Sequence, residues 1–143
     1  MDKKIFKGGG LNFHTVFLFT IPLVIGIKKE FYDISRGCML IIITGLAYHY
    51  TYIKPFEILD KIMVSICGTY YSILGYTYTY YYLGSIICIL TSMIIYKTLS
   101  YSKYGIVFHS LMHAICSAGI SFLVLGCSSV DECQSLKNIT FIK

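Results

Sequence analysis

Apolar residues along the chain gather into long uncharged stretches that short charged clusters separate. A bilayer core of about 30 Å needs about 20 apolar helical residues, so each stretch near that length predicts one membrane-spanning helix. The 35 uncharged residues between Lys61 and Lys97 are too many for one such helix and fit two that turn near GYTYTYYYLG. The pattern therefore predicts five helices, at about 11–27, 38–53, 62–77, 81–96 and 104–127.

Composition favours a membrane location for these helices. Apolar residues make up 56% of the 143 residues and charged residues 13%, which is outside the usual range for soluble globular domains. A lysine-rich flank precedes the first stretch, as in a signal peptide, but no small-residue cleavage site follows PLVIG, so we expect this helix to be retained. The predicted fold is all-α, a single multi-pass transmembrane helical bundle over residues 1–143.

The positive charges favour a cytoplasmic N-terminus. With that orientation, seven lysines lie on the cytoplasmic side and five lysine or arginine residues on the other. The same orientation places the C-terminal tail on the non-cytoplasmic side, where the pattern NIT at 138–140 can be glycosylated and Cys127 and Cys133 can form a disulfide. The net charge of +5 is spread without a dense basic run, which suits membrane flanks and argues against a nucleic-acid partner.

Four ionisable residues fall at one depth of the predicted bundle. His49 lies near the exit of the second helix, Asp60 near the entrance of the third, and His109 and His113 in the first turns of the fifth. Because successive helices cross in alternating directions, all four lie on the same side. An ionisable group inside a bilayer costs free energy unless a partner satisfies it, so the shared depth indicates a common site.

The histidine spacing is suited to a metal ion. His109 and His113 are four residues apart and share one face of a helix, where both imidazoles can bind one ion, and His49 is the available third ligand. Three neutral imidazoles around zinc leave a fourth position for water, whose pKa falls to about 7. Asp60 would orient that water or carry its proton. The pattern predicts a zinc cofactor with a catalytic carboxylate.

Structural interpretations of the same residues stay open. A histidine pair at this spacing also occurs as a packed or hydrogen-bonded pair without metal, and a carboxylate at a helix start, as predicted for Asp60, is favoured by the helix dipole. His14 has no partner at ligand spacing and fits a helix start or an interfacial position. The tyrosine-rich stretch at 75–82 fits an interfacial belt, since phenol rings suit the boundary between headgroups and water.

Two stretches carry a longer signature. GLAYHYTYIKPFEILDKIMVSICGTYYSIL contains Tyr48-His49, Leu59-Asp60 and Gly68-Thr69-Tyr70, and FHSLMHAICSAGISF contains the histidine pair. Together they resemble the central signature and the last helix of the hemolysin III and adiponectin/progestin receptor family. The eleven positions from His49 to Asp60 also suit the alkaline ceramidases and the GPI-remodelling hydrolases of the same superfamily.

The resemblance implies a zinc site inside a helical bundle, with His49, His109 and His113 as ligands and Asp60 beside the metal. Members that act as enzymes hydrolyse lipid amides or related bonds, and ceramide is the recurring substrate. A lipid from the bilayer is therefore the implied partner.

The chain departs from the family in two respects. The family's serine near the metal is Gly45 here. Neighbouring Thr44 carries a hydroxyl, but one residue along a helix turns it about 100° away. Tyr48 and Thr69 are the remaining candidates to replace the serine hydroxyl. The family also has seven helices rather than five. The absence of two helices would remove much of the bundle wall that encloses a lipid chain in the family, unless a homo-oligomer rebuilds that wall.

Three functional hypotheses result. The first is a membrane-embedded, zinc-dependent hydrolase that cleaves a lipid amide such as ceramide. The second is a non-catalytic, receptor-like or pore-forming membrane protein in which the metal braces the helices, and the missing serine favours it. The third is haem ligation by histidines on facing helices, to which the resemblance lends no support.

Overall fold

Five helices make up the part of the chain that the structure, a computed structural model, describes: residues 10–78, 82–99 and 103–126. No β-strand occurs among these residues, so the predicted all-α fold class is confirmed. The helices are α1 (Leu11–Lys28), α2 (Tyr32–Thr51), α3 (Lys54–Tyr78), α4 (Tyr82–Thr98) and α5 (Gly105–Leu125).

Some sequence predictions concern residues outside the described ranges. These are the disulfide between Cys127 and Cys133, the glycosylation pattern at 138–140 and the turn at 79–81. They stay predictions.

Two of the five helices, α1 and α5, are long and apolar enough to cross a membrane by length and composition. A shorter apolar stretch, Leu83–Thr98, lies in α4. The helices α2 and α3 begin before their apolar windows, at Tyr32 and Lys54. Asp33 and Glu57 lie in their first turns, where the positive end of the helix dipole stabilises a carboxylate. The charged flanks are therefore helical and not loops.

The middle of α1 is irregular. A 3₁₀ stretch, Val16–Phe19, interrupts the α-helical hydrogen bonding. Pro22 has no backbone N–H, so the Leu18 carbonyl lacks the i+4 donor of a regular helix. The Ser117 hydroxyl on α5 donates to that carbonyl at 2.8 Å. The proline and the serine together fix the position of α1 against α5.

A buried tyrosine joins α3 to α2. Tyr71 is 1% exposed, and its hydroxyl donates to the Ile34 carbonyl at 3.0 Å. Gly37 leaves room for this hydroxyl, because a Cβ at that position would collide with it. Cys38 and Cys67 are free, buried thiols beside the same contact. This group forms the core on the α2 side of the bundle.

Helix α5, which carries His109 and His113, packs against α1, α3 and α4. Its inner face gives four residues to the buried core: Cys116, Ile120, Leu123 and Val124. Gly119 brings α4 close, since a Cβ there would lie 2.7 Å from Cys88 Cβ and 3.2 Å from the Ser85 carbonyl oxygen.

Gly119→Ala should lower the melting temperature of the purified protein. The added methyl meets a Cβ and a backbone oxygen that cannot rotate away, and such overpacking costs about 1–3 kcal/mol. Gly68→Ala is the matched control, because in the described part of the chain nothing beyond its own stretch of helix lies within 4 Å of a Cβ at that position, and alanine favours a helix over glycine by up to about 1 kcal/mol. Thermal unfolding followed by circular dichroism measures both variants. Equal melting temperatures for the two would contradict the close approach of α4 and α5.

Candidate metal site

Three histidines meet between α2 and α5: His49 from the last turn of α2, and His109 and His113 from the first half of α5. The ring centroids lie 5.0 Å apart for His49 and His109, 5.4 Å for His49 and His113, and 4.8 Å for His109 and His113. One nitrogen of each ring lies within 4.8 Å of the corresponding nitrogens of the other two. The cluster can therefore hold a metal ion.

The end of α2 places His49 in this cluster. Tyr52 follows the helix in a left-handed conformation, with φ of 53°, and its N–H donates to the Tyr48 carbonyl at 2.7 Å. This cap ends α2 at Thr51 and leaves His49 in the final turn. The side chain points inward and is 1% exposed. From there its ring reaches those of His109 and His113 in the first half of α5.

The imidazole nitrogens of the cluster are short of hydrogen-bond partners. Among the described residues, neither ring nitrogen of His49 nor Nε2 of His109 has a partner, although all three atoms are buried. Each buried polar atom left in this state costs about 1–3 kcal/mol. A hydrogen-bonded histidine pair therefore does not describe this cluster, whereas an ion would satisfy one nitrogen of each ring.

His113 differs from the other two because Nδ1 lies 2.9 Å from the Thr15 hydroxyl on α1. This contact leaves Nε2 as its ligand atom. In a tetrahedral zinc site, Zn–N bonds of about 2.0–2.1 Å put the ligand nitrogens about 3.3 Å apart. The nitrogens of the cluster would close by up to about 1.5 Å around such an ion, a movement that side-chain rotation supplies.

Asp60 is buried against α2, at 9% exposure. Its Oδ1 lies 3.2 Å from the Thr44 hydroxyl, whose single proton also has a backbone carbonyl of α2 at 3.0 Å, and it would lie 3.5 Å from a Cβ at Gly45. Gly45 and His49 are four residues apart on one face of α2, so the carboxylate lies about one helical turn from His49. Because α3 starts at Lys54, Asp60 is beyond the first turn, where the stabilising effect of the helix dipole ends.

Thr44 is nearer to the site than the sequence predicted. The helix periodicity predicts that its side chain is turned away from the position of Gly45. Helix α3, however, packs on the side of α2 that lies between Thr44 and Gly45, so Asp60 is close to both residues. Tyr48 lies beside His49, with ring centroids 4.7 Å apart, and Thr69 is exposed on α3. The hydroxyl that contacts the buried carboxylate is therefore that of Thr44.

Val16 from α1 occupies the space beside Gly45. A Cβ at Gly45 would lie 3.2 Å from each of the two Val16 methyl groups, and Val16 is 1% exposed. A serine at this position would press on α1. The place where the resembled family has a hydroxyl is thus filled by an apolar side chain.

Tyr96 and Lys61 border the cluster on the side of α3 and α4. The Tyr96 ring centroid lies 5.6 Å from that of His109, and Lys61 Nζ lies 5.8 Å from the Tyr96 centroid. Lys61 also forms an ion pair with Glu57 at 2.6 Å. The lysine charge at this edge is therefore neutralised by a carboxylate.

His14 lies outside the cluster. It is exposed on α1, with its ring centroid 5.5 Å from that of Phe13, as expected for a surface or interfacial residue. The rings of the cluster pack edge to face within 5.4 Å of one another, which suits an ion but leaves no room for a porphyrin between two of them. The haem hypothesis gains no support.

Sequence reasoning did not identify the Thr15 hydroxyl, and it placed the Thr44 hydroxyl away from the site. Asn12 and Thr15 are three residues apart and share one face of α1, and polar residues that share a face of an apolar helix indicate a partner on another helix. No comparable signal marks Thr44, because the direction of one side chain is informative only once the neighbouring helix is placed.

Comparison of this chain with models of protein families, with curated proteins and with solved structures gives no match. The candidate metal site therefore rests on the geometry of the three histidines alone, and the family resemblance stays a prediction.

Proposed function

We propose that this chain is a multi-pass membrane protein that binds one zinc ion through His49, His109 and His113 and hydrolyses a lipid amide such as ceramide. The observation that supports it most is the meeting of three histidines, with one nitrogen of each ring within 4.8 Å of the other two; among the described residues, His49 and His109 also have buried nitrogens without a partner. Neutral imidazoles are preferred zinc ligands, and three of them leave one coordination position open. Zinc bound there supplies a Lewis acid and lowers the pKa of water to near neutral.

The distribution of side chains supports a bilayer around all five helices. Among the residues whose burial the structure describes, nine polar side chains are buried: Ser35, Thr44, His49, Asp60, Ser85, Ser92, Ser110, His113 and Ser117. Large apolar side chains are exposed on every helix, for example Ile21, Ile43, Ile62, Ile94 and Val107. Exposed apolar surface on this scale is typical of a membrane contact, and the buried polar groups are of the kind that join helices inside a bilayer. The lysine count favours a cytoplasmic N-terminus.

Each site residue has a defined role in this proposal. The histidines hold the ion through neutral imidazoles. Asp60 takes a proton from the attacking water and passes it to the amide nitrogen as the C–N bond breaks, so that a fatty acid and an amine leave. Thr44 fixes the orientation of the carboxylate through Oδ1. The acyl chain of the substrate stays in the lipid while its amide reaches the cluster.

Purified wild-type protein should contain about one zinc per chain, and His49→Ala should contain little, because the variant keeps only two ligands. The measurement is the metal content of the detergent-purified protein by plasma mass spectrometry. His14→Ala is the matched control, since His14 is exposed and outside the cluster; it should keep the wild-type zinc content.

Two results would contradict the metal site. One is wild-type protein that holds no zinc after zinc was supplied during growth and purification. The other is equal zinc loss in His14→Ala and His49→Ala, which would mean that the metal is held by no particular histidine.

Asp60→Asn should retain zinc but lose about 10²–10⁴-fold in ceramide turnover, because an amide keeps the shape of the carboxylate and accepts no proton. Turnover is measured in proteoliposomes that contain ceramide. Asp33→Asn is the matched control, because Asp33 lies in an exposed ion pair with Arg36 at the start of α2; its turnover should equal that of wild type. Full activity in Asp60→Asn would refute the role of this carboxylate.

A second candidate function is a receptor-like or pore-forming membrane protein with a structural metal. The packing of Val16 against Gly45 favours it, because an apolar side chain lies where the resembled enzymes have a hydroxyl. Zinc would then be retained by wild-type protein that turns over no ceramide. Amide hydrolysis that depends on His49 would exclude this alternative.

A further inference from the structure

A hydroxyl from α1 contacts the histidine cluster in a way that the proposed function does not use. The Thr15 hydroxyl lies 2.9 Å from His113 Nδ1 and 3.1 Å from the Asn12 carbonyl oxygen. One arrangement of protons makes both contacts hydrogen bonds: the Thr15 hydroxyl donates to the Asn12 carbonyl, which can only accept, and the Thr15 oxygen accepts the Nδ1–H of His113.

This hydrogen bond determines the tautomer of His113. A neutral imidazole carries one proton, and a proton on Nδ1 leaves the lone pair on Nε2. In metal sites the non-ligating nitrogen of a histidine usually donates to a protein acceptor, which orients the ring and raises its affinity for the metal. We propose that Thr15 is a positioning residue that holds His113 as the Nδ1–H tautomer, with Nε2 directed into the cluster.

Two further contacts hold Thr15 in place. The Ser110 hydroxyl on α5 donates to Asn12 Oδ1 at 2.7 Å, and the Ser117 hydroxyl donates to the Leu18 carbonyl at 2.8 Å. Ser110 and Ser117 are three residues before and four residues after His113, about one helical turn on each side. The α1 segment is therefore fixed to α5 on both sides of the histidine, and the acceptor on Thr15 keeps its position.

The contact distinguishes His113 from His49. Among the described residues His49 has no hydrogen-bond partner on either nitrogen, so the structure fixes no tautomer for it. For His113 the ligand atom is selected before an ion arrives. Only the consequence for zinc affinity rests on the proposed function; the tautomer does not.

The first test compares zinc affinity among variants of Thr15. Thr15→Val removes the hydroxyl at nearly constant volume and should raise the Kd for zinc about 10–100-fold, the usual effect of losing such a partner. Thr15→Ser keeps the hydroxyl and should bind as wild type does. Thr20→Val is the matched control, because Thr20 donates to the Phe17 carbonyl at 2.7 Å on the same helix but is outside the cluster. Competition with a chromophoric chelator in detergent measures each Kd.

The second test reads the tautomer without metal. Nitrogen-15 NMR of histidine-labelled, zinc-free protein, with the His113 signal identified by its loss in His113→Gln, should show Nδ1–H in wild type and Thr15→Ser. Thr15→Val should show Nε2–H or a mixture of the two forms.

The outcomes separate this proposal from the proposed function. An Nε2–H tautomer in wild type would overturn the role of Thr15 even if Thr15→Val did not fold. So would a Thr15→Val variant with the tautomer and the Kd of wild type. A wild-type protein that binds no zinc but shows the Thr15-dependent Nδ1–H form would refute the metal site and support the positioning by Thr15.

Discussion

Imidazole nitrogens that are buried without hydrogen bonds have to be satisfied by something, and the arrangement around His49, His109 and His113 depends on this constraint. Two of these atoms belong to His49 and one to His109, and a cost of about 1–3 kcal/mol each is large beside the net stability of about 5–15 kcal/mol that is usual for a domain. An ion shared by the rings would satisfy one nitrogen of each, and the free energy of metal binding would add to that of folding. The end of α2 at Thr51 and the i, i+4 spacing on α5 both serve to bring these nitrogens together.

The contacts between helices are consistent with the bilayer that we propose around this bundle. In lipid the hydrophobic effect does not drive one helix against another, so close packing and polar contacts have that role. At the junction of α4 and α5 the close packing is provided by Gly119. Between α1 and α5 the polar contacts are provided by serines, and Ser117 also satisfies a carbonyl that Pro22 deprives of its helical donor. The irregular middle of α1 therefore helps to attach this helix to α5, which carries His109 and His113.

The sequence was enough to predict which histidines meet, because their depths depend only on helix periodicity and on alternating crossing directions. It was not enough for the contacts of Asp60 or His113. Those depend on how far α1 and α3 rotate about their own axes, which is decided by local packing such as Val16 against Gly45 and Tyr71 above Gly37. The starts of α2 and α3 were missed for a different reason: hydropathy marks only the apolar part of a helix, whereas the hydrogen bonding continues through charged residues.

Asp60 bears on the choice between a catalytic and a structural metal. Its side chain is 9% exposed and lies beyond the first turn of α3, so the helix dipole does not account for a carboxylate buried at this position. Removing a carboxylate from water costs several kcal/mol, and the hydrogen bond from Thr44 returns only about 1.5–3 kcal/mol of this. A metal that merely braced the helices would give no reason to bury a carboxylate one turn from its ligands, whereas proton transfer beside the ion requires one. The position of Asp60 therefore favours hydrolysis, and the valine beside Gly45 is the observation that opposes it.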